Sequence, residues 1–375
     1  MLSDLTRIPL SVPDLSGNEE AYASEAIRSS WISSSGAFVQ RFEREFANFC
    51  GSGSALSVTN GTDALHLALI ARGVGPGDEV LLPSLTYVAT ANAVRYVGAE
   101  PVFVDIDAGT WCLDPLDIER RITDQSRAII AVHLYGHPAD MDAINAVAAR
   151  HGLPVIEDAA EAHGATYKGR ICGSLADCAT FSFYGNKILT SGEGGALTTS
   201  DPELAQRARL FRGQGMDPER RYFFPVIGHN FRLTNVACAI LCAQLERYHD
   251  IAQRRSAVVR QYRDLLGSTP GLGMQPVASW ARPAPWLFSL TVDAETFGRS
   301  RDDVMDHLAR RGIETRPFFV PLHSLPPYAA PTQEDGATLP ITVRIAAAGL
   351  NLPTYPTLSE GAVLRVAETL LSIPR

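Results

Sequence analysis

The sequence predicts an α/β fold. A large, mostly parallel sheet of seven strands flanked by helices should be followed by a smaller α+β region at the C-terminal end. Three observations lead there. From residue 54 to residue 157, short apolar runs alternate with stretches of helical periodicity, the signature of βαβ units with right-handed crossovers. Several of those runs end in polar or glycine-bearing turns, and an open α/β sheet gathers its ligands at the carboxyl ends of its strands. Finally, 375 residues with 46% hydrophobic and 20% charged content suit a globular chain with room for two domains.

Taken in order, residues 17–30 and 36–50 read as helices. The second carries Phe38, Phe42, Phe46 and Phe49 at helical spacing, an apolar stripe that belongs against a core. Strands follow at 54–59, 79–83, 100–105, 127–132 and 153–157, with helices near 62–72, 86–97, 115–122 and 140–151 between them. Two more strands, 178–183 and 195–199, complete the seven. A long helical stretch then runs from about 234 to 266. The Pro- and Gly-containing segment 267–285 and a shorter strand–helix mix lead to a last helix at 359–372. A boundary within 245–265 divides the chain into a large domain over 1–250 and a small C-terminal domain over 251–375. The N-terminal helices are expected to pack on the smaller one.

Composition excludes several functions. The net charge is −8 and no basic run offers a face for phosphates, so no nucleic-acid partner is expected. No window approaches 18 apolar residues, and the first thirty lack a basic start before an apolar core; no membrane span or secretory leader is expected. The six cysteines form no CxxC pair and read as reduced core thiols of a cytoplasmic protein. Of the 33 basic residues only two are lysine, Lys168 and Lys187. A guanidinium does not give up its proton in proteins, whereas an amine can, and can then attack a carbonyl. Lys168 lies in a polar turn, Tyr167-Lys168-Gly169-Arg170, and reads as a surface cation.

Lys187 has different company. Strand 178–183 delivers it in Tyr184-Gly185-Asn186-Lys187, ahead of the small-residue loop Gly192-Glu193-Gly194-Gly195. The strand 153–157 delivers Asp158 and Glu161. Strand 54–59 ends in Thr59-Asn60-Gly61-Thr62 as a helix begins, a place where backbone N–H groups can hold a phosphate. Tyr87 lies just past the end of another strand. Pyridoxal phosphate needs these four things: an amine for its aldehyde, a carboxylate for its ring nitrogen, a phosphate cradle and an aromatic face. Gly61, Thr62 and Ser182 are the cradle candidates, and Tyr87 is the face. Singly, each residue also has a plain reading. Asp158 could cap a helix, Gly61-Thr62 could start one, Tyr87 could belong to the core, and Lys187 could be a loop cation.

Six segments then make the pattern specific: TNGTDALHLAL (59–69), LPSLTYVATANAV (82–94), VHLYGHPADMDAI (132–144), VIEDAAEAHGA (155–165), FSFYGNKILTSGEGG (181–195) and GHNFRLTNVACAI (228–240). On them the chain resembles the DegT/DnrJ/EryC1/StrS family of sugar aminotransferases over nearly its whole length. The resemblance implies fold type I, the aspartate aminotransferase fold, with pyridoxal phosphate as cofactor. It implies that Lys187 carries the cofactor and shuttles the proton, Asp158 pairs with the pyridine nitrogen, and Glu161 lies near the ring oxygen and the reacting amine. It further implies that Gly61, Thr62 and Ser182 bind phosphate and that Tyr87 stacks on the ring. Asn230 would reach the phosphate in a neighbouring subunit, so a homodimer with shared sites is implied. No metal site is expected.

The implied reaction moves an amine from L-glutamate to a keto-deoxysugar on a nucleoside diphosphate. YGHPADMD, RGQGMD (212–217) and ETRPFF (314–319) are similar to the perosamine-forming members, which favours GDP-4-keto-6-deoxymannose as acceptor. A dTDP- or UDP-keto-sugar and a keto-cyclitol remain alternatives, as does a non-catalytic sensor that binds pyridoxal phosphate. Residues 31–35, Arg212 and 316–319 are the expected pocket walls, and Arg220, Arg221 and Arg232 could meet a pyrophosphate. Rossmann oxidoreductase and zinc-enzyme readings fail for want of a GxGxxG after the first strand and of clustered His or Cys ligands.

Overall fold

The structure is a computed structural model that describes residues 7–329 and 339–374. Its main sheet has seven strands: β1 (Ser54–Val58), β2 (Glu79–Pro83), β3 (Glu100–Val104), β4 (Ser126–Val132), β5 (Val155–Asp158), β8 (Cys178–Ser182) and β9 (Gly195–Thr199). Two short strands, β6 (Thr166–Tyr167) and β7 (Arg170–Ile171), form a side ribbon between β5 and β8. The order across the sheet is β1-β9-β8-β5-β4-β2-β3. Only β9 runs against the others, paired antiparallel with both β1 and β8. Six strands therefore end on one side of the sheet, and that side carries the strand-end residues Gly61, Tyr87, Asp158, Ser182 and Lys187.

The period-two alternation of the strands sorts their side chains onto two faces. Leu56, Val58, Val80, Leu82, Ile130 and Val132 meet α3 (Gly61–Arg72), α4 (Ala89–Tyr96) and α7 (Pro202–Arg212). Ala55, Leu81, Ile129 and Ala131 meet α2 (Ala37–Cys50), α5 (Pro115–Arg121) and α6 (Met141–His151), with α8 (Asn235–Glu246) in the same core. The phenylalanine stripe of α2 lies in this second core, Phe46 edge-on to Phe181 at 4.9 Å and to Phe183 at 5.3 Å. All six cysteines are buried and unpaired.

Helix α1 (Glu19–Arg28) packs on α8, and α2 packs on α8 and β1, elements that fall within residues 1–250 rather than in the small domain on which the two helices were expected to pack. The segment before them makes that connection instead: Ile8 bridges to Ile313. The stretch read as one helix from 234 to 266 is two, α8 and α9 (Tyr248–Leu266), meeting at Arg247. The break has a packing reason. Helix α8 fills the core under the main sheet, whereas Val258, Tyr262 and Leu266 of α9 fill a third core. That core is lined by β10 (Leu272–Met274), β12 (Phe288–Val292) and β14 (Gly349–Leu352), which with β13 (Arg316–Pro317) form an antiparallel sheet ordered β10-β12-β14-β13. Strand β11 (Ala281–Arg282) joins the side ribbon. Helices α10 (Ala294–Phe297), α11 (Arg301–Ala309), α12 (Pro340–Ala348) and α13 (Glu360–Leu371) complete the chain. Among the described residues no helix is long and apolar enough to cross a membrane.

Candidate active site

At the carboxyl ends of β1, β2, β4, β5 and β8 the structure opens into a cavity of about 680 Å³. That is ample for a cofactor and part of a substrate, given that small-molecule sites run roughly 300–1,000 Å³. Gly61, Thr62, Tyr87, Asp158, Glu161, Ser182 and Lys187 all line it. Asn230 does not. It is exposed, on the loop before α8, and its Oδ1 accepts from Arg232 Nε at 3.1 Å.

Each residue is placed by the turn that follows its strand. The β1–α3 turn is closed by Asn60, whose Oδ1 caps the helix by accepting from Asp63 N at 2.8 Å. The N–H groups of Gly61 and Thr62 have no acceptor within the helix, because they lie in its first turn. A Cβ on Gly61 would stand 2.8 Å from Ser182 Cβ. One on Gly195 would stand 2.3 Å from Asn60 O. Two glycines therefore let the helix start press against the ends of β8 and β9, leaving a cradle with N–H donors and the Ser182 hydroxyl.

Asp158 closes β5 and is buried. Thr90 Oγ1 donates to its Oδ2 at 2.9 Å, and the Ala160 N–H donates to Oδ1 at 3.2 Å. Burial pushes this carboxyl above its ordinary range, against the pull of those hydrogen bonds and of Lys187. Glu161 is buried as well, and its Oε2 accepts from the Tyr135 N–H at 2.7 Å. Tyr135 adopts a left-handed backbone, φ 53°, uncommon for an aromatic residue. Burial also raises the Glu161 carboxyl, opposed by Lys187 and Arg316. Its Oε1 lies 3.9 Å from Lys187 Nζ. Burial in turn lowers the Lys187 amine, opposed by Glu161 and reinforced by Arg316. The site thus holds two acids that favour their protons and an amine that gives its proton up more readily than in water.

Trp286 and Arg316 come from the C-terminal part of the chain. Lys187 Nζ lies 4.2 Å over the Trp286 ring. Arg316 lies 5.1 Å from that ring and 5.5 Å from that of Phe319. Its Nε and Nη2 are buried with no hydrogen-bond partner among the described residues. Tyr87 stands 59% exposed at the cavity edge, 5.8 Å from Phe319.

Of the expected walls, Arg316 and Phe319 line the cavity, whereas residues 31–35 and Arg212 lie outside its lining. Arg212 is engaged elsewhere, bonded to Glu43 and to Ser57 O, where it ties α7 to α2 and β1. Trp31 is exposed and its carbonyl accepts from Asn235 Nδ2 at 2.6 Å. Arg220 and Arg221 are also outside, over the rings of Phe223 and Tyr222. Sequence reasoning passed over Thr90, Tyr135 and Trp286. Thr90 stood in the quoted LPSLTYVATANAV segment, a hydroxyl one helical turn after Tyr87, and Tyr135 stood in the quoted VHLYGHPADMDAI segment; Trp286 lay in no quoted segment.

A second buried group, His133, Glu157 and Cys172, brings its ligand-type atoms within 4.8 Å of one another. It is a closed hydrogen-bond knot. Glu157 accepts from the N–H groups of Gly173, Leu175 and Ala176 and from His133 Nε2. His133 Nδ1 accepts from the Ala139 N–H, which leaves the ring proton on Nε2 for Glu157. The carboxylate of Glu157 and both ring nitrogens of His133 are thus already engaged by protein partners.

The cavity fits pyridoxal phosphate on its own chemistry. It offers an amine of lowered proton affinity, a buried carboxylate in need of a cation, a cradle that a Cβ at residue 61 would fill, and buried donors without partners.

Comparison with known proteins gives the same direction. Residues 13–371 match the DegT/DnrJ/EryC1/StrS aminotransferase family. The chain is 50% identical to the GDP-perosamine synthase of Caulobacter vibrioides, covering 98% of this chain and 99% of that protein. It is 42% identical to a dTDP-3-amino-3,4,6-trideoxy-alpha-D-glucose transaminase of Streptomyces venezuelae, covering 88% and 86%. Spr1654 of Streptococcus pneumoniae, solved in a PLP form, superposes with a TM-score of 0.92 at 27% identity over 98% of each chain.

Proposed function

The chain belongs to the DegT/DnrJ/EryC1/StrS aminotransferase family, and from that membership we propose that it is a pyridoxal-phosphate aminotransferase acting on a nucleotide-linked keto-sugar. The donor is L-glutamate and the acceptor a 4-keto-6-deoxyhexose, GDP-4-keto-6-deoxymannose. One observation carries the reading: Lys187, Asp158, Glu161 and the Gly61–Ser182 cradle converge on a single cavity in a chain half identical to a GDP-perosamine synthase.

When bound, pyridoxal phosphate supplies an aldehyde that takes up amines and an electron-poor ring that stabilises charge on an adjoining carbon. Lys187 holds it by the amine, then serves as base and acid at the carbon that bears nitrogen. Asp158 faces the ring nitrogen and keeps it protonated; the cation relieves the burial that otherwise disfavours the carboxylate. Thr90 and the Ala160 N–H fix the direction of that carboxylate. Gly61, Thr62 and Ser182 hold the phosphate, and Tyr87 covers a face of the ring. Glu161 is anchored through one oxygen and turns the other toward Lys187 and the incoming amine. Arg316, with its unpartnered N–H groups, receives a carboxylate of the donor. Asn230 reaches the cofactor phosphate of a second copy, so two chains build each site.

Comparison of kcat/KM tests the substrate. GDP-4-keto-6-deoxymannose is expected to exceed its dTDP-linked counterpart, a 3-keto isomer and scyllo-inosose by at least about tenfold, ~1.4 kcal/mol. A dTDP-linked acceptor is the second reading, favoured by the 42% identity to the Streptomyces venezuelae transaminase. A tenfold preference for that acceptor would replace the first reading. Preference for the free cyclitol would reject nucleotide sugars altogether.

A further inference from the structure

Trp286 has no part in the reaction as described, yet it is among the largest fully buried side chains. It comes from the run Pro283-Ala284-Pro285-Trp286 that leads into β12, and it reaches the cavity built on the main sheet. It touches the lysine loop twice. Its ring face lies 4.2 Å from Lys187 Nζ, and its Nε1–H donates to the carbonyl of Asn186 at 2.9 Å. Its own backbone is pinned. The carbonyl accepts from the buried Arg255 at 2.8 Å, and the N–H donates to Ala284 O at 2.9 Å. Tyr135 stacks on the ring at 6.3 Å, and Arg316 lies over it at 5.1 Å. An indole face attracts an ammonium through its quadrupole, and most strongly where water is excluded.

We propose that Trp286 is a positioning residue for Lys187. Its face seats the free amine between proton transfers, and its N–H fixes the peptide that carries the lysine. The inference rests on Lys187 being the residue that holds the cofactor. The other charged and titratable groups around the amine are Asp158, Glu161, His163 and Arg316. Of these, Arg316 also rests on the Trp286 ring, and Trp286→Phe, which keeps an aromatic face beneath it, separates the indole's own effect from a shift of that guanidinium.

The chain provides its own reference for a test, because Lys168 is its one other lysine. Lys168 is half exposed and paired with Asp142 at 2.6 Å. Holoenzyme converted with L-glutamate, which frees the Lys187 amine, is trace-labelled with fluorodinitrobenzene over about pH 6 to 10. Mass spectrometry then reads the labelling midpoint at each lysine in wild type, Trp286→Phe and Trp286→Leu. Relative to Lys168, the Lys187 midpoint is expected to fall by roughly half to one pH unit in Trp286→Leu and by less in Trp286→Phe. The rate of the isolated glutamate half-reaction should fall in the same order, with KM for glutamate little changed. A Lys187 midpoint that stays put or rises in Trp286→Leu overturns the proposal. Should the leucine variant fail to fold by circular dichroism, an unchanged midpoint and half-reaction in Trp286→Phe overturns it instead. Borohydride reduction of the aldehyde form judges the underlying reading separately: an adduct at Lys168, or none, removes Lys187 as the holding residue whatever the midpoints do.

Discussion

Asp158 is costly to the protein without cofactor. Its folded carboxyl is raised above the unfolded value by burial, so the folded state binds a proton that the unfolded chain releases. The resulting destabilisation is full above the folded pKa and is relieved as pH falls through it. Asp158→Asn is therefore expected to melt higher than wild type in cofactor-free form at pH 7–8, with the difference shrinking toward about pH 4. The same variant is expected to lose at least about a hundredfold in kcat, because a neutral amide cannot hold the ring nitrogen charged. Thermal melts across pH and steady-state rates check the two halves. At this scale the sequence was partly legible. Strand ends and a scarcity of lysine mark Lys187, Asp158 and Glu161, and the structure brings the three to one cavity. Arg212 was misplaced because an arginine does not reveal which acid it will meet; here it is Glu43, far away in the chain. Tyr135 stood inside a quoted motif, but its contact with Glu161, like those of Trp286 with the lysine loop, is tertiary and has no local pattern.

Between elements, the contact that shapes the site is the approach of α3 to β8. Gly61→Ala would force a Cβ to 2.8 Å from Ser182 Cβ, with both backbones fixed in regular structure. Such overpacking costs about 1–3 kcal/mol. Cofactor affinity is expected to fall about tenfold or more, read by titrating the apoenzyme and following visible absorbance. Gly75→Ala, where a Cβ meets nothing within 4 Å, is the control and should leave affinity unchanged. The seven strands of the main sheet and the helices between its first five were readable from apolar period, down to the phenylalanine face of α2, whereas α7 and the short strands of the side ribbon were not. Direction was not. Residues 195–199 look like any other strand, and only their placement between β1 and β8 makes them run antiparallel. The break at Arg247 was likewise invisible, since helical periodicity continues across it while the core being served changes.

For the molecule as a whole, the region around Asn230 is unusually apolar for a surface. Tyr222 is 72% exposed and Ile227 91%, with Phe223 and Phe224 also open. These side chains precede in sequence the residue proposed to serve a second copy, and exposed apolar surface of this kind is consistent with that proposal. Hybrids of Asn230→Ala and Lys187→Ala chains test that arrangement. With shared sites, one site of each hybrid carries both changes and the other carries neither. Mixing two nearly inactive proteins should then restore up to about half of wild-type activity per hybrid dimer. Verified subunit exchange without recovery would show that each chain keeps its site to itself.

The place of β9 in the sheet has a consequence in time. Strand β1 leaves the ribosome well before its partner β9, which lies about 140 residues further along. At roughly 5–20 residues per second, β1 waits on the order of ten to thirty seconds with its edge open. Loop-closing entropy must be met before that pairing returns anything. Even then Ile8 awaits Ile313. The nascent chain therefore presents an apolar strand edge until β9 emerges, and that interval is where chaperone binding and aggregation compete with closure of the sheet.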